Sequence, residues 1–367
     1  MKTAIVIGGG FTGCMWSHLL GEKGWQVTMV ERAPVLGGGC QTLWYGGHPY
    51  TFGPRHLFTP HAHVFEYLQE RIPMRRLDHY LLTYVERDGQ FYSYPIHRED
   101  VERMPDRNSI QRELAERPPL ETARNFEEYW MYSVGPTLYD KFVKQYSQKM
   151  WQIETNTVLT DFKFDGKGVE LRNGTHQVRP DWFVSYPVSL NGWDDFFALA
   201  KATPGVTTRL NCAIEGYDVD RPGVRVDGEW LTADLLVSSI SPDVLMDFRY
   251  GELPYIGRDF LKLVLPVEQV IPDPIFFLHY ANNESFTRVV EYKKLTGYKA
   301  PTTLLGMEIP SKRNKLYPYP IKAEQDKAKR YRDDLPDNVL SVGRMGNYRY
   351  YDIAMIVDEA LRLGKEF

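Results

Sequence analysis

The stretch TAIVIGGGFTGCMWSHLLGEKGWQVTMVE, residues 3–31, decides the fold of this chain. Its pattern predicts a buried strand over Thr3–Ile7, a glycine-rich turn, a helix over 14–23 and a second strand over 25–31. The glycines of Gly8-x-Gly10-x-x-Gly13 suit a tight turn, a close backbone approach to a pyrophosphate and close packing of the helix on the strand. We therefore expect an α/β protein that begins with a Rossmann-like β-α-β unit.

An acidic residue stands where such a unit needs one. Glu31 lies 18 residues after Gly13, at the end of the second predicted strand, where a carboxylate can accept a hydrogen bond from a ribose hydroxyl. A lone GxGxxG pattern is often only a glycine-rich turn, but here the strand, the helix and the acid all stand in the required order. The sequence thus predicts dinucleotide binding, and the candidate residues are Gly8, Gly10, Phe11, Thr12, Gly13 and Glu31.

Composition limits the class of protein. The 367 residues carry 44 basic and 48 acidic side chains, a net charge of −4, and 43% of them are hydrophobic. These values exclude a disordered or fibrous chain and argue against a surface that binds nucleic acid. The separation of Cys14, Cys40 and Cys212 fits neither a metal knuckle nor a disulfide framework, and no run approaches the ~18 apolar residues of a membrane span. We expect a soluble cytoplasmic protein without membrane insertion.

The rest of the chain predicts a discontinuous architecture. Residues 1–60, 205–250 and 335–367 contain strand, glycine and helix patterns that fit one dinucleotide-binding domain. Residues 61–150 lack β alternation and are interrupted by prolines, which predicts a helical insert. Short alternating runs in 151–204 and 251–334 predict an antiparallel β-sheet domain that binds substrate.

A second glycine cluster indicates the cofactor. In flavoproteins with two dinucleotide-binding motifs, an Arg followed by a Gly-Gly pair at this place brings the chain under the FAD pyrophosphate. This chain resembles them in Arg32 and the run Gly37-Gly38-Gly39, which favours FAD over NAD and adds Arg32, Gly38 and Gly39 to the candidates. The sequence has no second GxGxxG unit, so a reductant such as NAD(P)H would have to come from outside.

Further motifs resemble one family over nearly the whole chain. In order, they are Glu31-Arg32 through Gly37-Gly38, YSQKMW at 146–151, FTRVVEYK at 286–293, YPYP at 317–320 and GRMGNYRYYD at 343–352. This series resembles the bacterial UDP-galactopyranose mutases. The resemblance implies a FAD enzyme, active in its reduced form, that interconverts pyranose and furanose forms of a UDP-sugar with no net redox change. In that family flavin N5 attacks the anomeric carbon, and the sugar ring opens and recloses while attached to the flavin.

The resemblance also implies roles for residues that contact the diphosphate. Arg288 matches an arginine that binds phosphate, and we expect Glu291 to orient it. Arg172 falls near the second phosphate arginine of the family, with Arg179 as the alternative.

Aromatic residues complete the expected substrate site. Tyr146 matches a tyrosine that stacks on the base, and Trp151 matches a tryptophan near the sugar. Tyr319 and Tyr350 match a pair that donates to the pyrophosphate, while Tyr317 either joins them or packs in the core.

The last helix is expected to face the flavin. Arg344, Tyr351, Asp352 and Ile353 are the candidate residues, with Asp352 as the cap of a helix over 353–363. A helix N-terminus carries about half a positive charge, which favours an anionic reduced flavin.

The chain departs from the family at one point. The mutases usually read G-x-H-x-F-H-T after the second glycine cluster, whereas this chain reads GPRHLFT at 53–59, with Arg55 in the place of the first His. We expect Arg55 to contact a substituent of the hexose, such as an N-acetyl or carboxylate group. The substrate is then UDP-galactose or a 2-substituted analogue such as UDP-N-acetylgalactosamine. The candidate catalytic residues are Arg288, Arg172 and His56.

Two other functions remain open from the sequence. A FAD-dependent oxidoreductase of the amine-oxidase or desaturase type would share the first forty residues and the terminal Gly-Arg. A non-catalytic flavin- or nucleotide-sugar-binding protein would tolerate the altered 55–58 stretch. We expect a homodimer, as in the family, and no metal, because His61-x-His63 lacks an accompanying carboxylate or Cys.

Overall fold

The first thirty residues form the β-α-β unit that their glycine spacing predicts. Thr3–Ile7 and Gln26–Val30 are strands, and Phe11–Glu22 is the helix between them. The helix begins at Phe11, three residues earlier than expected, because Gly10 ends the extended backbone and the glycine turn passes directly into the first helical turn.

The computed structural model describes residues 1–160 and 170–367, so any strand content expected at 161–169 lies outside the described residues. The strands, in chain order, are β1 Thr3–Ile7, β2 Gln26–Val30, β3 Leu43–Tyr45, β4 His48–Tyr50, β5 Leu57–Thr59, β6 Met74–Arg76, β7 Leu82–Val85, β8 Gln90–Ser93, β9 Phe183–Pro187, β10 Val206–Arg209, β11 Gly216–Asp218, β12 Gly223–Val226, β13 Glu229–Thr232, β14 Leu235–Ser238, β15 Tyr255–Leu265, β16 Phe277–Tyr280, β17 Arg288–Glu291, β18 Thr303–Ser311, β19 Tyr317–Pro318 and β20 Val339–Ser341. The α-helices are α1 Phe11–Glu22, α2 Ala62–Gln69, α3 Arg98–Arg103, α4 Arg107–Ala115, α5 Phe126–Val134, α6 Pro136–Tyr139, α7 Gln145–Trp151, α8 Asp194–Ala202, α9 Pro242–Leu245, α10 Tyr292–Thr296, α11 Lys322–Asp333, α12 Gly343–Gly346 and α13 Ile353–Leu363.

A five-stranded parallel sheet organises the part of the molecule that contains the glycine-rich turn. Its order is β10-β2-β1-β14-β20, and every neighbouring pair is parallel. Its strands come from both ends of the chain and from the 205–250 segment. Apolar side chains such as Val6, Trp16 and Val237 pack in one core with α1, α8 and α13, as expected for a parallel sheet that is buried on both faces. The α/β fold is therefore confirmed.

A larger mixed sheet forms the other side of the molecule. Its order is β19-β15-β18-β17-β16-β7-β8, antiparallel at every described pair except β16 with β7, which run parallel. The described strands within 251–334 pair antiparallel with one another, as expected, and the mixed character comes from β7 of the preceding segment. The parallel pair arises because β7 enters from the segment expected to be helical and lies beside β16 in the same direction.

Residues 61–150 are not helical throughout, which corrects the boundaries of the insert. Helix α2 opens the segment, strands β6, β7 and β8 lie within 74–93, and α3 to α7 follow. The turn between β7 and β8 ends at Gly89, whose φ of 61° suits glycine. The run Leu82–Val85 does alternate between half-buried and buried positions, but it is too short to stand out among its charged neighbours. Likewise, β9 pairs with β5 and β6, and α8 packs on α1, so residues 183–202 pack with the helices of the five-stranded sheet. This corrects their assignment, within 151–204, to the antiparallel substrate domain.

A buried ion pair joins the helical segment to the mixed sheet. The side chain of Lys141 is fully buried, and its ammonium group contacts Asp88, which follows β7, and Asp106 at 2.8 Å. Asp88 is 3% exposed. A buried charge without its partner is costly, so this contact fixes the position of the helices on the sheet. Among the described helices, none combines the length and the hydrophobicity needed to cross a bilayer.

Replacing Lys141 should therefore destabilise the protein. We expect Lys141→Met to lower the free energy of unfolding by about 3 kcal/mol, because Asp88 stays buried without its main partner. Lys144→Met is the matched control, since Lys144 pairs with Asp140 on the surface at 3.6 Å, and it should cost less than about 0.5 kcal/mol. Denaturant unfolding measures both values, and equal losses in the two variants would contradict the assignment.

Candidate functional site

A cavity of about 510 Å³ lies between the two sheets. One side of the cavity is formed by the start of α1, the second glycine cluster and the start of α13. Its other side is formed by α7, β16, β17 and β19. The cavity thus opens beyond the carboxyl end of β1, where open α/β sheets bind their ligands.

The first glycine turn leaves room for a ligand because its glycines have no side chains. A Cβ on Gly13 would stand 1.8 Å from the carbonyl oxygen of Gly8, so only glycine allows α1 to start this close to β1. A Cβ on Gly10, by contrast, would meet nothing within 4 Å. The open space at Gly10 and the free amides of the first turn of α1 fit the pyrophosphate of a dinucleotide.

Glu31 holds the turn in place. Its Oε2 accepts a hydrogen bond from the Gly9 amide at 2.6 Å, and its Oε1 accepts one from the Ala33 amide at 2.7 Å. Each carboxylate oxygen has a further lone pair, so the predicted ribose contact stays compatible with this arrangement.

The second glycine cluster is bonded to the first. The Gly37 amide donates to the Gly9 carbonyl at 2.7 Å, and a Cβ on Gly38 would stand 3.2 Å from the Gly10 Cα. Gly38 and Gly39 therefore lie beside the open space at Gly10, and Gly39 lines the cavity. We call the space bordered by Gly10, Gly38 and the start of α13 the cradle. Arg32 is exposed at the end of β2 and is absent from the cavity wall in the described part of the chain.

The start of α13 forms the third side of the cradle. Asp352 caps the helix by accepting from the Met355 amide at 3.0 Å, as the sequence predicts. Arg344 donates to the carbonyl of Tyr351 at 2.7 Å, which holds its guanidinium at the cavity. Tyr351 and Ile353 also line the cavity, beside the positive end of the helix dipole.

Arg288 lies on the opposite wall and pairs with Glu308. Residues 288 and 308 are direct partners in the β17–β18 register, and an Arg288 Nη donates to Glu308 Oε2 at 2.7 Å. The side chain of Glu308 is only 1% exposed. Among the described residues, the buried Nε of Arg288 and Oε1 of Glu308 have no hydrogen-bond partner. The guanidinium thus keeps donor capacity for a ligand in the cavity.

The expectation that Glu291 orients Arg288 is wrong. Side chains three residues apart on a strand point to opposite faces, so Glu291 cannot reach the cavity side of β17. Its carboxylate instead accepts from the amides of Val270 and Ile271 and from the Thr303 hydroxyl, at 3.0, 2.7 and 2.7 Å. It fixes the loop before β16.

Aromatic rings line the part of the cavity next to Arg288. The ring centroids of Tyr146 and His279 lie 5.2 Å apart, and Phe277 packs beside His279 at 5.3 Å. Burial, and secondarily Arg288, hold the pKa of His279 well below its usual range, so this imidazole is neutral. Burial raises the pKa of Tyr146 to about 12, so its hydroxyl stays a hydrogen-bond donor. The sequence places Tyr146 here but does not reveal Phe277 or His279.

Tyr317 and Tyr350 form a stacked pair on the cavity wall. Their ring centroids are 5.7 Å apart with an interplanar angle of 9°. The Arg344 guanidinium lies 4.8 Å from the first ring and 5.2 Å from the second. Both tyrosines line the cavity, so Tyr317 is not confined to the core.

Arg55 and His56 both face the cavity. Arg55 has a φ of 32°, and its Nε donates to the Gly39 carbonyl at 3.0 Å, which directs the guanidinium toward the second glycine cluster. His56 packs among rings, with Phe276 at 5.0 Å and His79 at 5.1 Å.

Three candidates lie elsewhere in the described structure. Trp151 is 6% exposed and packs in the helical core, with its ring centroid 6.4 Å from that of Tyr317. Tyr319 donates to the Gln152 carbonyl at 3.3 Å. Arg172 pairs by its backbone with residue 96. None of the three is among the described residues that line the cavity, whereas Arg179, the alternative to Arg172, is.

The sequence reasoning missed Arg258 and Glu308. Arg258 is 2% exposed and lies 4.6 Å from the Tyr317 ring. Both residues interrupt apolar strands, and a charge inside an apolar strand requires a partner. That signal was available, although the sequence does not say which charges meet.

Positive charge dominates the cavity wall. Among the described lining residues, Asp352 is the single carboxylate, and it caps α13. The cationic lining residues are Arg55, Arg179, Arg288, Lys315 and Arg344. A wall of this kind selects an anionic ligand, and planar guanidinium groups suit phosphate oxygens.

Comparison with known proteins gives consistent results. A family model described as UDP-galactopyranose mutase matches residues 141–350, and one described as an NAD(P)-binding Rossmann-like domain matches residues 6–71. A probable UDP-galactopyranose mutase of Klebsiella pneumoniae is 23% identical over 402 residues, covering 100% of this chain and 94% of the relative. A dTDP-fucopyranose mutase of Escherichia coli is 22% identical over 382 residues, covering 98% and 97%.

Solved structures share the fold. A reduced UDP-galactopyranose mutase superimposes with a TM-score of 0.84 at 16% identity, covering 100% of this chain and 93% of that chain. A putrescine oxidase variant made to redesign cofactor binding gives a TM-score of 0.60 at 13% identity, covering 100% and 98%. At these identities the likeness concerns the fold alone.

The Arg288–Glu308 pair gives a direct test of the anion site. We expect Glu308→Gln to lower stability by about 2 kcal/mol, because Arg288 then keeps a half-buried charge without its carboxylate. Inorganic pyrophosphate should restore part of this loss by binding the unpaired guanidinium, which thermal unfolding at increasing pyrophosphate would show.

Glu291→Gln is the matched control for that experiment. It also removes a buried carboxylate of the same sheet, but one that faces away from the cavity, so pyrophosphate should not compensate for its loss. The wild type and Glu291→Gln should show only the smaller stabilisation of an intact site, and the absence of pyrophosphate stabilisation in all three proteins would contradict an anion site at Arg288.

Proposed function

The chain belongs to the UDP-galactopyranose mutase family, and on that premise we propose that it interconverts the pyranose and furanose forms of a nucleotide-diphosphate sugar. One observation carries the proposal: the dinucleotide cradle and the cationic wall that holds Arg288 line the same cavity. A ligand on the Arg288 side would therefore lie next to a cofactor on the glycine side. The matched family segment, 141–350, contains Tyr146, Arg288, Tyr317 and Arg344.

We propose FAD as the cofactor. The open space at Gly10, the carboxylate of Glu31, the adjoining Gly38 and Gly39, and the start of α13 fit the two halves of a dinucleotide. Bound in its reduced form, the flavin would supply the nucleophile for the anomeric carbon of the sugar. The helix dipole of α13, the Arg344 guanidinium and the free amides of α1 would stabilise negative charge on it.

The protein would bind and orient the substrate. Arg288 would bind the diphosphate through the donors that Glu308 does not use, with the hydroxyl group of Tyr350 as a further donor. Arg179 lines the cavity and is a better placed second cation than Arg172. Tyr146 and His279 would contact the base, since a neutral imidazole and a protonated phenol combine a flat face with hydrogen-bonding capacity.

The sugar is proposed as galactose or a 2-substituted analogue, with Arg55 as the residue that contacts the substituent. One relative of similar identity is named for dTDP-fucopyranose, so the nucleotide and the hexose both need testing. We also propose an external reductant such as NAD(P)H, a homodimer and a cytoplasmic location, all of which fit the family.

The proposal predicts turnover only by reduced protein. Chemically reduced, FAD-loaded protein incubated with UDP-galactofuranose should yield the pyranose form, whereas oxidised protein should not. Chromatography of the nucleotide sugars measures the product. The same assay is run with the furanose forms of UDP-N-acetylgalactosamine and dTDP-fucose. Repeating it with Arg55→His shows whether the preference between these sugars depends on Arg55. Stoichiometric flavin oxidation by an organic substrate would instead identify an oxidoreductase, and the absence of both reactions would identify a binding protein.

Arg288 should contribute strongly to affinity for the diphosphate. A charge-assisted hydrogen bond is worth roughly 1.5–3 kcal/mol, so Arg288→Ala should weaken UDP binding about 10- to 100-fold by calorimetry. Arg313→Ala is the control, because Arg313 is 77% exposed and pairs with Asp259 at the surface. If the two variants bind UDP as tightly as the wild type, the diphosphate is not held at Arg288.

A further inference from the structure

Tyr317 lies among several guanidinium groups. It belongs to β19, pairs with Ile256 at the start of β15 and is 5% exposed. The guanidinium carbon of Arg258 lies 4.6 Å from its ring centroid, and that of Arg344 lies 4.8 Å from it. Tyr350 stacks on the ring, and Trp151 of α7 lies nearly perpendicular to it, with an interplanar angle of 88°.

These cations are poorly neutralised by acids. Among the described residues, no carboxylate lies within ion-pair distance of Arg55, Arg258 or Arg344, which donate to backbone carbonyls and, for Arg258, to the Met150 sulfur. The carboxylate of Glu308 raises the pKa of Tyr317, but this carboxylate is itself paired with Arg288 at 2.7 Å. The phenol therefore lies in a positive potential, which favours its ionised form.

The effect on ionisation is opposite for two tyrosines of the same cavity. Burial is the largest influence and raises the pKa of the Tyr317 phenol, but the combined charges of Arg55, Arg344 and Arg258 lower the net pKa below its ordinary value. For Tyr146, burial dominates and raises the pKa to about 12. The arginines around Tyr317 thus make it the stronger acid.

The proposed reaction requires a proton to change oxygen atoms. In a hexopyranose O5 is in the ring and O4 carries a proton, whereas in the furanose O4 is in the ring and O5 carries the proton. A group that gives its proton to one oxygen and accepts the proton of the other lets the ring open and close without net proton exchange.

We propose that Tyr317 is the proton-transfer residue of this site, an inference that rests on the proposed mutase function. The bond pair of C1–O5 passes to O5, which takes the phenol proton. The O4 lone pair then forms the C1–O4 bond, and the O4 proton returns to the phenolate. Tyr317 and the sugar finish with the proton count they began with, and nothing is oxidised or reduced. Arg258 is a positioning residue that acts through the phenol.

The first test does not require turnover. Ultraviolet absorbance of tyrosinate is followed against pH for the FAD-loaded wild type, Tyr317→Phe and Tyr319→Phe. One tyrosine should ionise at lower pH than the others in the wild type and in Tyr319→Phe, and this step should be missing from Tyr317→Phe. Arg258→Met should move the step to higher pH, because a cation next to the ring is lost. Identical titrations of the wild type and Tyr317→Phe would overturn the proposal.

The second test concerns the rate. Because the reaction begins with the protonated phenol, wild-type kcat should be full below the pKa of Tyr317 and fall as pH rises through it. Tyr317→Phe should lose about 100-fold in kcat, within the range for general acid–base catalysis, with a smaller change in KM, and should lose that alkaline limb. Tyr319→Phe should keep both.

The two tests separate this inference from the proposed function. A Tyr317→Phe protein that keeps wild-type kcat and the alkaline limb overturns the role of Tyr317 while the mutase function stands. If no variant converts a nucleotide sugar, the mutase function fails and takes the proton-transfer role with it, whatever the absorbance titration shows of Tyr317.

Discussion

The close approach of α1 to β1 at Gly8 and Gly13 is the constraint on which the rest of the structure depends. A side chain at Gly13 would stand 1.8 Å from the Gly8 carbonyl oxygen, so the helix could not begin where it does. That beginning exposes the amides of the first turn and leaves the space at Gly10 open. The second glycine cluster is bonded to the same turn through Gly37, and the start of α13 lines the same side of the cavity. The cradle for a dinucleotide is the product of these contacts.

The mixed sheet adds charge to this cradle at a defined place. The β17–β18 register sets Arg288 opposite Glu308, and the β19–β15 pairing brings Tyr317 close to Arg258. The chain as a whole is slightly acidic, with a net charge of −4, yet the cavity wall is strongly basic. The positive potential that a diphosphate needs is therefore local, and average composition conceals it.

Local patterns predicted the parts of the fold that local chemistry determines. The β-α-β unit and the Asp352 cap follow from glycine spacing, apolar runs and capping preference, and the structure confirms them. Strands β7 and β8 were not predicted from the sequence, because both are short and lie in a charged segment. They form by pairing, β7 with β16 and β8 with β7, rather than through a pattern of their own. The partner of Arg288 was missed for a related reason. Glu291 is close in sequence but on the other face of the strand, while Glu308 is 20 residues away and directly opposite.

We propose that the cradle and the cationic wall form one site for two ligands. Titration of FAD-loaded protein with UDP, followed by the visible absorbance of the flavin, tests it most directly. We expect a saturable change in the flavin spectrum with the affinity that calorimetry gives for UDP, and weaker binding of UDP by Arg288→Ala. UDP binding that leaves the flavin spectrum unchanged, or that is indifferent to Arg288, would contradict it.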